Sequence, residues 1–190
     1  MLHSVEILKR KLSERADTAF SDILNEAVIE AALKAANVTY RKRLFTPIVT
    51  LWAFLYQVLD ADKSLSNAVK QIQCWLAVEG VSLPSLNTGG YAKARQRLPE
   101  SVLFQLFEHT GEALCAEATA SWLWQGRVVK ILDGSNVVMA DTAANQTAYP
   151  QHKNQKAGCG FPIAKLVVVF SLATAAAIAV RIADFKTSEI

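Results

Sequence analysis

Residues 127–185 read RVVKILDGSNVVMADTAANQTAYPQHKNQKAGCGFPIAKLVVVFSLATAAAIAVRIADF, and the reading of this stretch decides the fold. Val128, Val129, Ile131 and Leu132 form a short apolar, β-branched run around Lys130, which suits a strand covered on both faces better than a lone amphipathic helix. Asp133 stands where that run ends, and Gly134 follows it. A residue without a side chain there lets an anion or a metal-bound phosphate approach the backbone, although an Asp-Gly pair after a strand is equally a turn signal. Farther on, Leu166 to Val180 carries no charge, but Lys165 and Arg181 bracket it and Ser171 and Thr174 interrupt it. The run is shorter than the roughly 20 residues of a membrane-crossing helix. LVVVF and AIAVRI therefore read as two core strands joined by a turn. Strands are expected at about 127–139, 165–172 and 177–185, with an irregular stretch after the first and a helix start at Thr187, Ser188 and Glu189.

Everything before Gly126 reads as helical. Val5, Leu8, Leu12, Ala19, Ile23, Ala27 and Ala31 recur at three- or four-residue steps, the pattern of one or two amphipathic helices over about 4–36 with a stop at Asn37. The compact basic cluster Arg41, Lys42 and Arg43 follows, either solvated surface or a set of phosphate contacts. Thr46 and Pro47 make a helix start, a capping oxygen followed by a residue with no amide to satisfy. The helix IVTLWAFLYQVL is apolar nearly all round and should centre this half, with Trp52, Phe54 and Tyr56 as core aromatics. Ser64 caps the next helix, which turns Leu65, Val69, Ile72 and Trp75 to one side and ends at Gly80. After a loop through Pro84, Gly89 and Gly90, a short helix spreads Lys93, Arg95 and Arg97. Lys93 and Arg97 share a face, while Tyr91 and Arg95 lie on a neighbouring one, so the helix either offers Lys93, Arg95 and Arg97 to a DNA phosphate backbone or is an ordinary basic surface. A further helix over about 101–120 should bury Val102, Leu103, Leu106, Phe107, Leu114 and Cys115, and Trp122 and Trp124 read as packing anchors.

Composition narrows the class without naming a partner. The chain has 190 residues, of which 52% are hydrophobic and 19% charged, enough to bury a core and too apolar for disorder. A net charge of +3 does not by itself argue for nucleic acid. Cys74, Cys115 and Cys159 are widely spaced, so neither a disulfide framework nor a zinc cage is indicated, and a reducing cytoplasm fits.

Four segments, TGGYAKARQRLP, WLWQGRVVK, DGSNVVMADTAANQTAYPQ and QKAGCGFPIAKLVVVFSLAT, resemble insertion-sequence-4 family transposases of the DDE class, in the family's order and over most of the chain. The resemblance implies an α+β chain: a DNA-engaging helical bundle over 1–125, then the first three strands of an incomplete RNase H-like catalytic domain over 126–190. Asp133 is implied as the first catalytic carboxylate, a ligand of Mg²⁺ or Mn²⁺ in the complete enzyme. Two-metal phosphoryl transfer needs several converging carboxylates, and in the family the others come from a later strand and helix, so this chain alone is not expected to cut DNA. Asp141, in MADT, resembles a second local motif and also reads as a capping aspartate; Asp184 and Glu189 are the other acids of this half. Asn145, Gln146, Tyr149, Pro150 and Gln151 match the family pattern, and their loop, with His152, Lys153 and Lys156, is expected to reach DNA. Ala140, Ala143, Ala144 and Ala157 depart from it, and Ala175 replaces a hairpin glycine, at a cost of about 1 kcal/mol if the turn needs a positive φ. The implied partners are double-stranded DNA of transposon terminal repeats and a second copy in a homodimer, with no membrane, in a bacterial cytoplasm beside the nucleoid. Two alternatives stand beside an active transposase: an inactive, truncated one serving only as a DNA-binding or dimerisation module, and an unrelated helical interaction protein.

Overall fold

The computed structural model describes residues 2–15, 22–41, 43–152, 154, 156 and 158–184. Lys42, Lys153, Ala19, Ala157 and the helix start expected at Thr187, Ser188 and Glu189 lie outside them, as does the side chain of Leu12. In chain order the elements are α1 (Leu2–Arg15), α2 (Glu26–Ala35), α3 (Pro47–Leu59), α4 (Leu65–Val78), α5 (Gly89–Gln96), α6 (Glu100–Ala116), a 3₁₀ turn (Ala120–Trp122), β1 (Lys130–Val138), α7 (Ala143–Ala148), β2 (Ile163–Ser171) and β3 (Ala177–Asp184). The chain divides into two compact units, Met1–Leu106 and Phe107–Ile190.

Local chemistry sets the helix starts of the first unit. The side-chain oxygens of Asn25, Thr46 and Ser64 accept from the amides of Val28, Val49 and Asn67 at 3.1, 3.4 and 3.1 Å, each satisfying one of the donors a helix leaves open at its beginning. Asn37 and Gly80, at φ +52° and +66°, turn the chain out of α2 and α4. Two apolar clusters meet on α3. One gathers Val5 and Leu8 of α1, Val49 and Ala53 of α3, Val69, Ile72 and Leu76 of α4, and Tyr91; the other gathers Ile29 and Leu33 of α2, Ile48 and Leu51 of α3, and Val102 and Leu106. Trp52 packs against both. The face of α2 differs from the expected one: Ala27 and Ala31 are exposed, and Ile29, Ala32 and Leu33 are buried. Ile and Leu bury far more apolar area than Ala, and this decides the rotation of the helix. Leu103 likewise faces out from α6.

The second unit is built on an antiparallel meander in the order β1-β2-β3. β1 pairs with β2 from Lys130↔Ser171 to Val138↔Ile163, and β2 pairs with β3 from Ala164↔Asp184 to Phe170↔Ala177, with an irregularity between Val169 and Phe170. LVVVF and AIAVRI are thus strands, and no helix among the described residues is long and apolar enough to cross a membrane. Three expectations are corrected here. The run 128–132 is not covered on both faces: every residue of β1 is exposed, because β1 is an edge strand that the described residues leave uncovered. Asp133 does not end the strand and Asp133-Gly134 is not a turn, since they continue the ladder opposite Val168 and Val167. Trp122 and Trp124 are more than half exposed rather than packed; the chain reverses at Gln125 and Gly126, both at positive φ, and Trp124 bridges to Arg127. The stretch expected to be irregular contains α7, capped by Thr142 on the Asn145 amide at 3.2 Å. On α6, Gly111 is buried, and a Cβ there would stand 2.9 Å from the carbonyl oxygen of Ala177 and 3.0 Å from the Cα of Ile178.

Candidate nucleic-acid interface

Two basic segments of the first unit converge on one groove. The first is the connection from α2 to α3. Val38 donates its amide to the Leu33 carbonyl at 2.9 Å, which closes the end of α2, and Thr39, Tyr40 and Arg41 then run exposed across the surface. A tight Arg43 amide to Arg41 carbonyl contact at 2.8 Å bends the chain back toward Thr46. The second segment is α5, whose first amide, that of Gly89, donates to Asn87 Oδ1 at 2.7 Å. The fully buried Tyr91 holds α5 in place: its ring lies 5.5 Å from that of Phe45, and its hydroxyl donates to Gln57 Oε1 at 2.9 Å. Burial pushes the Tyr91 phenol up to about 12, so it stays a neutral donor.

Between these segments lies a groove of about 610 Å³. Arg41, Arg43 and Arg97 line it together with Tyr40, and Val38, Leu44 and Phe45 supply apolar surface. No carboxylate is among the described residues that line it. Arg97 is oriented by its own helix, its Nε donating to the Lys93 carbonyl at 2.9 Å. Lys93, one turn earlier on α5, is exposed. Such a concentration of cations without acids favours an anionic occupant.

Arg95 is not brought to this groove. Its guanidinium lies 4.5 Å from the centre of the Phe54 ring and 5.8 Å from that of Tyr91, and it donates to Gln57 Oε1 at 3.3 Å. The amide of Gln57 in turn donates to the Lys63 carbonyl at 2.6 Å. Arg95 thus ties α5 to α3.

In the second unit Asp133 is exposed, and its Oδ1 accepts from the Gly134 amide at 2.9 Å. Asp184 stands opposite Ala164, four residues along β2 from the partner of Asp133 and one strand farther on, which is about 16 Å away at ordinary strand spacings. Asp141 accepts from Gln146 Nε2 at 2.9 Å. Among the described residues no group of three His, Cys, Asp or Glu side chains is placed to hold a metal ion, so these donors do not form a divalent-cation cage. Two glutamines bond across the loop after β1. Gln146 also donates to the Gly160 carbonyl at 3.0 Å and accepts from the Gln151 amide at 3.1 Å; Gln151 donates to the Lys156 carbonyl at 2.9 Å and accepts from the Gly160 amide at 3.2 Å. They clamp the chain on either side of the exposed Lys156.

Sequence reasoning missed Tyr40. It directly precedes Arg41 and lines the same groove, 42% exposed.

Residues 16–108 match the family described as insertion element 4 transposase N-terminal, a span that takes in α2 to α5 and the whole groove. No curated protein and no solved structure matches the chain. The family match ties the chain to transposition. Residues 16–108 of this chain belong to the insertion element 4 transposase N-terminal family.

Proposed function

We propose that the first unit is the DNA-engaging part of a transposase, holding double-stranded transposon-end DNA through phosphate contacts from Arg41, Arg43 and Arg97, with Lys93 beside them. The observation that carries this reading is the convergence of two basic segments, distant in sequence, on one groove whose described lining contains no acid. Phosphate contacts of this kind position a duplex without reading its bases. Lys42 and, in the second unit, Lys153 and Lys156 extend the proposed contact set. The functional division falls at Gly126, where helices give way to strands, and residues 126–190 are read as the start of an RNase H-like catalytic domain of the DDE class.

Asp133 is the proposed metal-binding and catalytic carboxylate, with Mg²⁺ or Mn²⁺ as the ion. That role requires further carboxylates which the described residues do not bring to it, and this favours a second reading in which the chain acts only as a DNA-binding or dimerisation module near the bacterial nucleoid. Titrating binding to terminal-repeat DNA against salt tests the first reading: Arg41→Ala and Arg97→Ala should each weaken binding and lower the salt slope by about 1. Binding indifferent to both changes would remove the groove from the interface. Incubation of the same complexes with Mg²⁺ separates the two readings, since strand cleavage that disappears in Asp133→Ala overturns the binding-only module.

A further inference from the structure

We infer that the groove takes an unpaired nucleotide, with its base on the apolar wall beside Tyr40 and its phosphate on the arginines. The inference rests on the DNA-binding reading of the same groove and adds the form of nucleic acid it selects. A surface that only tracks the phosphates of a duplex needs cations and hydrogen-bond donors, and gains nothing from apolar lining. Here the guanidinium groups of Arg41, Arg43 and Arg97 share the groove with Val38, Leu44 and Phe45, and Tyr40 is 42% exposed within it. An exposed tyrosine that shares a groove with guanidinium groups and apolar side chains suits a planar, π-faced group joined to a phosphate. At about 610 Å³ the groove is in the range that accommodates small ligands, and is therefore large enough for one base with its sugar. A base inside a duplex cannot reach such a wall, so the occupant is a nucleotide in a single strand, a bulge or a frayed end.

The test compares the full chain on a perfect duplex and on the same duplex carrying one unpaired 2-aminopurine, read by anisotropy and by quenching of the 2-aminopurine emission. The unpaired base should tighten binding by about tenfold and its emission should be quenched. Tyr40→Ala should abolish both the preference and the quenching, and Tyr40→Phe should restore them. Tyr40 is an exposed residue outside the helices, and far-UV circular dichroism confirms that the variants remain folded. Equal affinity for the two DNAs, or a preference that survives Tyr40→Ala, overturns this inference while leaving phosphate binding intact. Failure to bind either DNA overturns the DNA-binding reading along with it.

Discussion

Ala175 lies in the connection between β2 and β3 with φ at +55°. An L-residue held in the left-handed region costs about 1–2 kcal/mol, because its Cβ crowds the following carbonyl. Ala175→Gly removes that strain, but glycine gives up more chain freedom on folding, which takes back about 0.4–1 kcal/mol. Ala175 is exposed, so loss of its methyl group forfeits little packing. The balance favours the glycine variant by about 0.5–1 kcal/mol. Because the chain has two compact units, a global unfolding signal mixes them, and the measurement has to report on the hairpin itself. Native-state hydrogen exchange of the β2–β3 ladder amides does so: in Ala175→Gly they should exchange about two- to fivefold more slowly. Ala175→Val, β-branched at the same φ, should move them the other way. Faster exchange in the glycine variant would refute the argument that the left-handed turn stores strain.

Arg95→Ala removes the cation above Phe54 and the hydrogen bond to Gln57, and should lower the stability of the helical unit by about 1–2 kcal/mol in urea unfolding. The salt slope of DNA binding should stay unchanged; a slope lowered by about 1 at unaltered stability would move Arg95 into the interface. Arg10 and Lys11 of α1 donate to Glu79 at 2.6 and 3.3 Å, and these bonds, Arg10's first, hold the Glu79 carboxyl below the usual carboxylate range. A carboxyl lowered in the folded state contributes stability above its unfolded pKa of about 4.3 and loses it as the pH falls through the folded value. Glu79→Gln should therefore unfold at a lower midpoint than the parent chain at pH 7, and the gap should close by about pH 3. A gap that widens in acid would reverse the sign assigned to this pair of contacts.

Features governed by neighbouring residues were legible in the sequence. Thr46-Pro47 and Ser64 cap where their side chains predict, and the glycine expected at 175 foretold the left-handed φ that Ala175 adopts. The helical spacing that sets Arg95 apart from Arg97 is kept, with Arg97 lining the groove and Arg95 on the side of Tyr91. Features set by what packs against an element were not legible. Spacing alone does not rank Ala27 and Ala31 below Ile29 and Leu33 for burial, and a β-branched run specifies a strand without saying whether anything covers it. The groove was visible only as two unrelated basic segments, because the contact of Phe45 with Tyr91 and the shared hydrogen bonds of Gln57 are tertiary. Asp133 was taken for a strand end because Asp-Gly resembles punctuation; nine residue pairs of ladder on β2 override it.

The close approach at Gly111 means that α6 rests on β3 main chain against main chain. At that point the approach of helix and hairpin is limited chiefly by the Ala177 carbonyl and the Ile178 Cα, with the Ile178 Cγ2 methyl at 3.3 Å beside them. Any residue larger than glycine at 111 therefore has to push the Ala177–Ile178 main chain away, so the fit of helix on hairpin depends on the missing side chain.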